Sequence, residues 1–90
     1  MSDNKVFVIF QNTADAQPFI SAFEQENPQA TLDYQPGMVR IEGMGELGIT
    51  LDVVNELAGR DVDLQEMHLT LVSLSGNVDE DDDYFRISRH

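Results

Sequence analysis

The residues of this 90-residue chain with the clearest capacity for chemistry are five consecutive carboxylates, Asp79-Glu80-Asp81-Asp82-Asp83. They stand between Gly76-Asn77-Val78 and Tyr84-Phe85. Carboxylates at alternate positions are what a calcium loop uses. An EF-hand loop needs oxygen ligands at about positions 1, 3 and 5, a glycine at 6 for the sharp turn, and a bidentate glutamate at 12. Counted from Asn77, the two diagnostic positions are Asp82 and Ser88; counted from Asp79, they are Tyr84 and His90. Both registers lack the turn residue and the bidentate ligand, and the flanks are expected to be strands rather than helices. The run is therefore expected to be a solvated acidic turn, and a calcium-responsive module ranks last among the function classes.

A second pattern, Gly43-Met-Gly-Glu-Leu-Gly48, matches the G-x-G-x-x-G spacing that cradles a pyrophosphate between a strand and a helix. Glu46 would place a carboxylate against that phosphate. The helix expected to follow is short, and the chain has no room for the remaining parallel strands of a dinucleotide fold. The expectation is a flexible glycine-rich loop, useful where a backbone must rearrange on docking. Glu66 and His68 are two apart, not the Glu-x-x-His spacing of a helical metal face. On a strand they would share a face, but further ligands are missing. His90 is isolated. There is no H-E-x-x-H, no Walker loop and no nucleophile elbow.

Composition narrows the field further. The chain has no cysteine, which excludes a disulfide scaffold, a thiolate zinc site and a cysteine-ligated iron–sulfur cluster. Seventeen acidic against five basic residues give a net charge of −12. That charge repels nucleic-acid phosphate and an anionic membrane surface, and it steers the chain toward a partner with a basic face. No apolar run approaches the length of a membrane span, and Met1-Ser2-Asp3-Asn4 does not begin an export signal, so a cytoplasmic location is expected. With this catalytic equipment missing, a binding or regulatory role is the default.

The elements that must position these residues follow from periodicity. Lys5–Phe10 (KVFVIF) is expected to be a strand buried on both faces. Thr13 or Asp15 should cap a helix whose stripe is Ala16, Phe19, Ile20 and Phe23, with Pro18 near its start and Asn27-Pro28 ending it. Thr31–Gln35 and Met38–Glu42 form a hairpin about Pro36-Gly37. Thr50 caps a short helix, Leu51–Ala58, closed by Gly59. Gln65–Leu74 is the longest strand expected, with Met67, Leu69 and Leu71 on one face and a bulge near Val72. Tyr84–Ser88 is the last strand. Met38, Met44 and Met67 are expected in the core. The order is strand, helix, two strands, helix, two strands: one α+β domain over residues 1–90, with helices packed on sheet.

Three segments taken together, NPQATLDYQPGMVRIEG (Asn27–Gly43), LAGRDVDLQEM (Leu57–Met67) and GNVDEDDDYF (Gly76–Phe85), resemble the regulatory, or effector, proteins of bacterial multicomponent diiron monooxygenases. The likeness is strongest to the phenol hydroxylase branch. It implies an α+β fold of two small antiparallel or mixed sheets meeting at a corner filled by two main helices. It implies a protein without cofactor that binds a diiron hydroxylase and promotes O2 activation and coupled hydroxylation. The electrons would come from a separate NADH-dependent flavin and iron–sulfur reductase. By position, Ser75, Gly76, Asn77 and Val78 resemble the loop that enters the partner's surface in relatives; Gly43, Met44 and Gly45 are the second candidate. The competing class is a free-standing acidic adaptor for a basic partner, with no part in oxidation.

Overall fold

The computed structural model describes residues 4–89. Strand β1 (Lys5–Gln11) buries Val6, Val8 and Phe10 completely on one face. Its other face, Phe7 and Ile9, is only half-buried. The expected burial on both faces thus holds for one. The second face is open sheet surface, where the Arg40 guanidinium lies 4.3 Å above the Phe7 ring.

A 3-10 turn, Ala14–Ala16, leads into α1 (Gln17–Glu26). Pro18 sits in the first turn, where a missing N–H leaves no helical bond unmade. Thr13 flanks the 3-10 turn but makes no side-chain cap. Phe19, Ile20, Ala22 and Phe23 face the core. Strands β2 (Thr31–Gln35) and β3 (Met38–Met44) form the expected hairpin, Leu32 opposite Ile41 and Tyr34 opposite Val39.

The glycine-rich segment is not a loop. Strand β3 runs through Gly43 to Met44, Gly45 turns with a φ of 85°, and β4 (Glu46–Thr50) starts at once. Helix α2 (Leu51–Ala58) follows, and Gly59 closes it in the left-handed conformation with its N–H on the Asn55 carbonyl. Thr50 precedes α2 without a side-chain cap; its N–H (2.7 Å) and hydroxyl (3.0 Å) both donate to the Glu26 carboxylate.

The expected strand Gln65–Leu74 is helical in its first half. Leu64–Glu66 is a 3-10 turn, α3 (Met67–Thr70) continues it, and only β5 (Leu71–Ser75) is extended. The cause is local. The Asp63 carboxylate accepts from the Gln65 N–H (3.0 Å) while the Glu66 carboxylate accepts from the Asp63 N–H (3.0 Å), a reciprocal box that starts a helix. Leu64, Met67 and Thr70, spaced by three, are the buried face, whereas Leu69 is 80% exposed. Glu66 and His68 therefore do not share a strand face.

The acidic run is part strand. Asn77–Glu80 is β6, paired with β7 (Tyr84–Ser88), and Asp81–Asp83 form the connection. Two sheets result, ordered β2-β3-β1-β5 and β4-β7-β6. All pairings are antiparallel. The register of β5 against β1 slips between Ile9 and Phe10, skipping Val72, which is the irregularity expected there. Phe23 of α1 ties the sheets: its ring lies 5.8 Å from Phe10 and 6.4 Å, edge-on, from Phe85. Buried side chains of both sheets and both longer helices form one core cluster. Met67 belongs to it, Met38 is half-buried, and Met44 stands 68% exposed.

Candidate partner-docking surface

Ser75 and Met44 are far apart in sequence but close the same end of the first sheet. Strand β1 is the reason, since it pairs with both neighbours: Lys5 faces Met44, and Phe7 faces Ser75. The chain leaves this sheet for the second one at Gly45 and again at Gly76. Both steps need glycine. Gly76 has a φ of 143°, and a Cβ there would meet the Ser88 carbonyl and Val6 Cγ1, each at 3.2 Å. Gly45 has a φ of 85° with open space around it.

Arg89 stitches these segments together. Its Nη2 donates to the Lys5 carbonyl (2.8 Å) and to Ser75 Oγ (2.7 Å), and its Nε donates to the same carbonyl (3.2 Å). Its backbone N–H donates to the Gly45 carbonyl (2.9 Å), and the Gly45 N–H donates to the Asn4 carbonyl (2.7 Å). Sequence reasoning missed Arg89. The one available signal was its place directly after the last strand, as one of five cations in an acidic chain.

The remaining candidates differ in what they can present. Val78 lies opposite Ile87 at the edge of the second sheet and is 47% exposed. Asn77, opposite Ser88, is exposed. Met44 offers an apolar side chain to water. Gly43 is buried, and its missing side chain makes room for Leu47.

The acidic run is held by the hairpin rather than arranged around a cavity. Asp79 accepts from the Tyr84 hydroxyl (3.0 Å), and Glu80 meets His68 Nε2 (3.0 Å). The Asp83 carbonyl accepts from the Leu51 N–H (2.8 Å), and the Asp81 N–H donates to the Tyr84 carbonyl (2.9 Å). The hydrogen bond to Asp79 pushes the Tyr84 phenol above its ordinary pKa of 10.0; partial burial and the charges of Asp79 and Asp81 add to this, and Arg86 opposes it. Among the described residues no three of His, Cys, Asp or Glu gather where they could hold a metal ion. No helix there is long and apolar enough to cross a membrane.

What this arrangement offers is a mixed polar and apolar surface on a small acidic scaffold, suited to contact. The family model described as MmoB/DmpM matches residues 4–88, nearly the whole chain. This chain belongs to the MmoB/DmpM family. It is 41% identical over 80 residues to the stimulatory component DmpM of phenol 2-monooxygenase from Pseudomonas sp. (strain CF600), covering 89% of each chain. The fold of this MmoB/DmpM member superposes with a TM-score of 0.90 on a chain from a solved phenol hydroxylase–regulatory protein complex. That match has 40% identity and covers 96% of this chain and 99% of the other. The regulatory protein B of soluble methane monooxygenase shares the fold at a TM-score of 0.74 and 20% identity, with all of this chain matching 67% of that one. The likeness identifies a regulatory family, not a catalytic component.

Proposed function

We propose that this protein is the regulatory subunit of a multicomponent phenol or aromatic monooxygenase, which works without a cofactor of its own. It binds the diiron hydroxylase and promotes O2 activation and coupled substrate hydroxylation. An NADH-dependent flavin and iron–sulfur reductase supplies the electrons, and the system works in the cytoplasm. The observation that carries this reading is the near end-to-end match, at 40% identity, to a chain of a phenol hydroxylase–regulatory protein complex.

A partner that brings no redox group acts through unequal affinity for two states of the hydroxylase. Docking then stabilises the state in which the iron site is accessible to its reactants. A coupling of about 1–3 kcal/mol shifts that equilibrium roughly 5- to 150-fold. Ser75–Val78 together with Met44 and Gly45 form the docking surface, with Gly43 beneath it. Interface cores are depleted of charge, and these segments are free of carboxylates in a chain that has 17.

The test is steady-state phenol hydroxylation by purified hydroxylase and reductase, with and without this protein. Addition should raise turnover and the fraction of NADH coupled to product. Unchanged turnover and coupling at saturation would overturn the reading.

A further inference from the structure

We propose that Arg89 is the positioning residue of the docking surface, holding the Ser75–Val78 and Met44–Gly45 segments as one unit. The inference rests on the docking surface proposed above and names what sets its shape. Two chain crossings between sheets, at Gly45 and Gly76, lie at this end of the molecule, each made by a glycine with positive φ and no side chain of its own to anchor it. Core packing reaches only one of them: Val6 Cγ1 and Ile87 Cβ lie against Gly76, whereas the space around Gly45 is open. The guanidinium ties the two crossings from outside. Its planar fork donates to Lys5, at the end of β1, and to Ser75, just before the second crossing. The amide of the same residue fixes the first crossing at Gly45.

An arginine suits this task because its donors are fixed in one plane, so that one side chain sets the spacing between two acceptors. A lysine at the same place would offer a single mobile ammonium. The bonds are exposed to water, so they add little to global stability. Their effect is local order, and local order decides how much entropy a partner must remove on binding.

The experiment compares the wild-type chain with R89A, R89K, S75A and R89A/S75A. Four quantities are measured: affinity for the purified hydroxylase, stimulation of phenol turnover, thermal midpoint, and amide hydrogen exchange. R89A should weaken hydroxylase binding about tenfold, while stimulation at saturation is retained and the thermal midpoint barely moves. R89K should not restore affinity. Amides of Ser75–Val78 should exchange faster in R89A, and those of Met44–Gly45 with them, because the backbone bond from residue 89 to Gly45 loses the side-chain anchor on Lys5 and Ser75 that holds that residue in place. S75A should cost affinity in the wild-type background and nothing further in R89A, since both remove the same link.

Wild-type affinity in R89A, full rescue by R89K, or additive effects of R89A and S75A would each overturn the inference. So would a fall in thermal midpoint with affinity unchanged at low temperature, which marks a merely structural role. If the wild-type chain itself neither binds nor stimulates the hydroxylase, the proposed function falls and this inference falls with it. If the wild type stimulates and R89A does so at equal affinity, only the inference falls.

Discussion

Gly43 and Leu47 share one volume. A Cβ on Gly43 would lie 2.6 Å from Leu47 Cδ2 and 3.0 Å from its Cγ, with the Glu46 carbonyl at 3.3 Å. Leu47 is buried in the cluster that joins the two sheets, so displacing its side chain disturbs the packing of that cluster. The missing side chain is therefore what lets β4 leave β3 for the second sheet after a one-residue turn, with Leu47 packed beside Gly43. G43A overpacks this corner and should lower unfolding free energy by about 1–3 kcal/mol. Urea unfolding of the two proteins checks it, and a midpoint equal to that of the wild type would refute the packing argument.

Asn27 offers a second test of how the helix is joined to the sheet. Its Nδ2 donates to the Phe23 carbonyl at the end of α1 and to the Gly48 carbonyl of β4, both at 2.8 Å. Its Oδ1 accepts from the Gly48 N–H at 3.2 Å. One amide thus satisfies groups on two elements, in a half-buried site. N27A leaves the Gly48 N–H and carbonyl without this partner, while the Phe23 carbonyl keeps the Asn27 backbone N–H, and should cost about 1–3 kcal/mol. N27D keeps the acceptor but loses the two donated bonds, so it should be destabilised too. Thermal and urea unfolding of the pair give the ordering, and a stable N27D would show that the donated bonds do not matter.

The elements with a strong period were legible in the sequence. Strand β1, helix α1, the β2–β3 hairpin and α2 with its Gly59 stop lie where periodicity and turn residues placed them. Three segments were not legible, for separate reasons. The glycines of Gly43–Gly48 suggested a loop, but they have different jobs. Gly43 admits Leu47, Gly45 makes the turn, and Gly48 passes close to the Phe85 carbonyl, 3.3 Å from where a Cβ would sit. In Gln65–Leu74 the alternation of Met67, Leu69 and Leu71 imitated a strand. The Asp63 and Glu66 spacing of a capping box was already in the sequence and outweighed it. Asn77–Glu80 hid as a strand because an edge strand facing water can consist mainly of polar residues. Of the docking candidates, the sequence showed Ser75–Val78 and Gly43–Gly45 as separate stretches. Their convergence depends on β1 pairing with both β3 and β5, a long-range fact that no local pattern encodes.

The hydrogen bond from Tyr84 to Asp79 makes a spectroscopic prediction. It holds the phenol protonated to higher pH than an ordinary tyrosine, with the charges of Asp79 and Asp81 acting in the same direction. A folded-state pKa above the unfolded one means stability that is whole below about pH 10 and lost as pH rises through the folded value. Phenolate absorbance should therefore show one of the two tyrosines titrating above 10.0 in the folded protein. D79N removes the charged acceptor and should bring that midpoint down. An unchanged titration curve in D79N would mean that the bond does not set it.

The last prediction concerns how the protein finds its partner. A net charge of −12 produces a field that reaches beyond contact distance, screened over about 8 Å at physiological ionic strength. Asp81, Asp82 and Asp83 project it from an exposed connection at the tip of the β6–β7 hairpin. This carboxylate cluster is separate from the segments proposed to touch the hydroxylase. It should therefore govern the rate of encounter more than the lifetime of the complex. Stopped-flow association with hydroxylase should slow roughly tenfold or more between about 50 and about 500 mM salt, with dissociation nearly constant. D81N/D82N/D83N should flatten that slope and slow association at low salt, while turnover at saturation is preserved. An association rate indifferent to salt would remove steering from the account, and a loss of saturating turnover in the triple variant would place the run inside the contact instead.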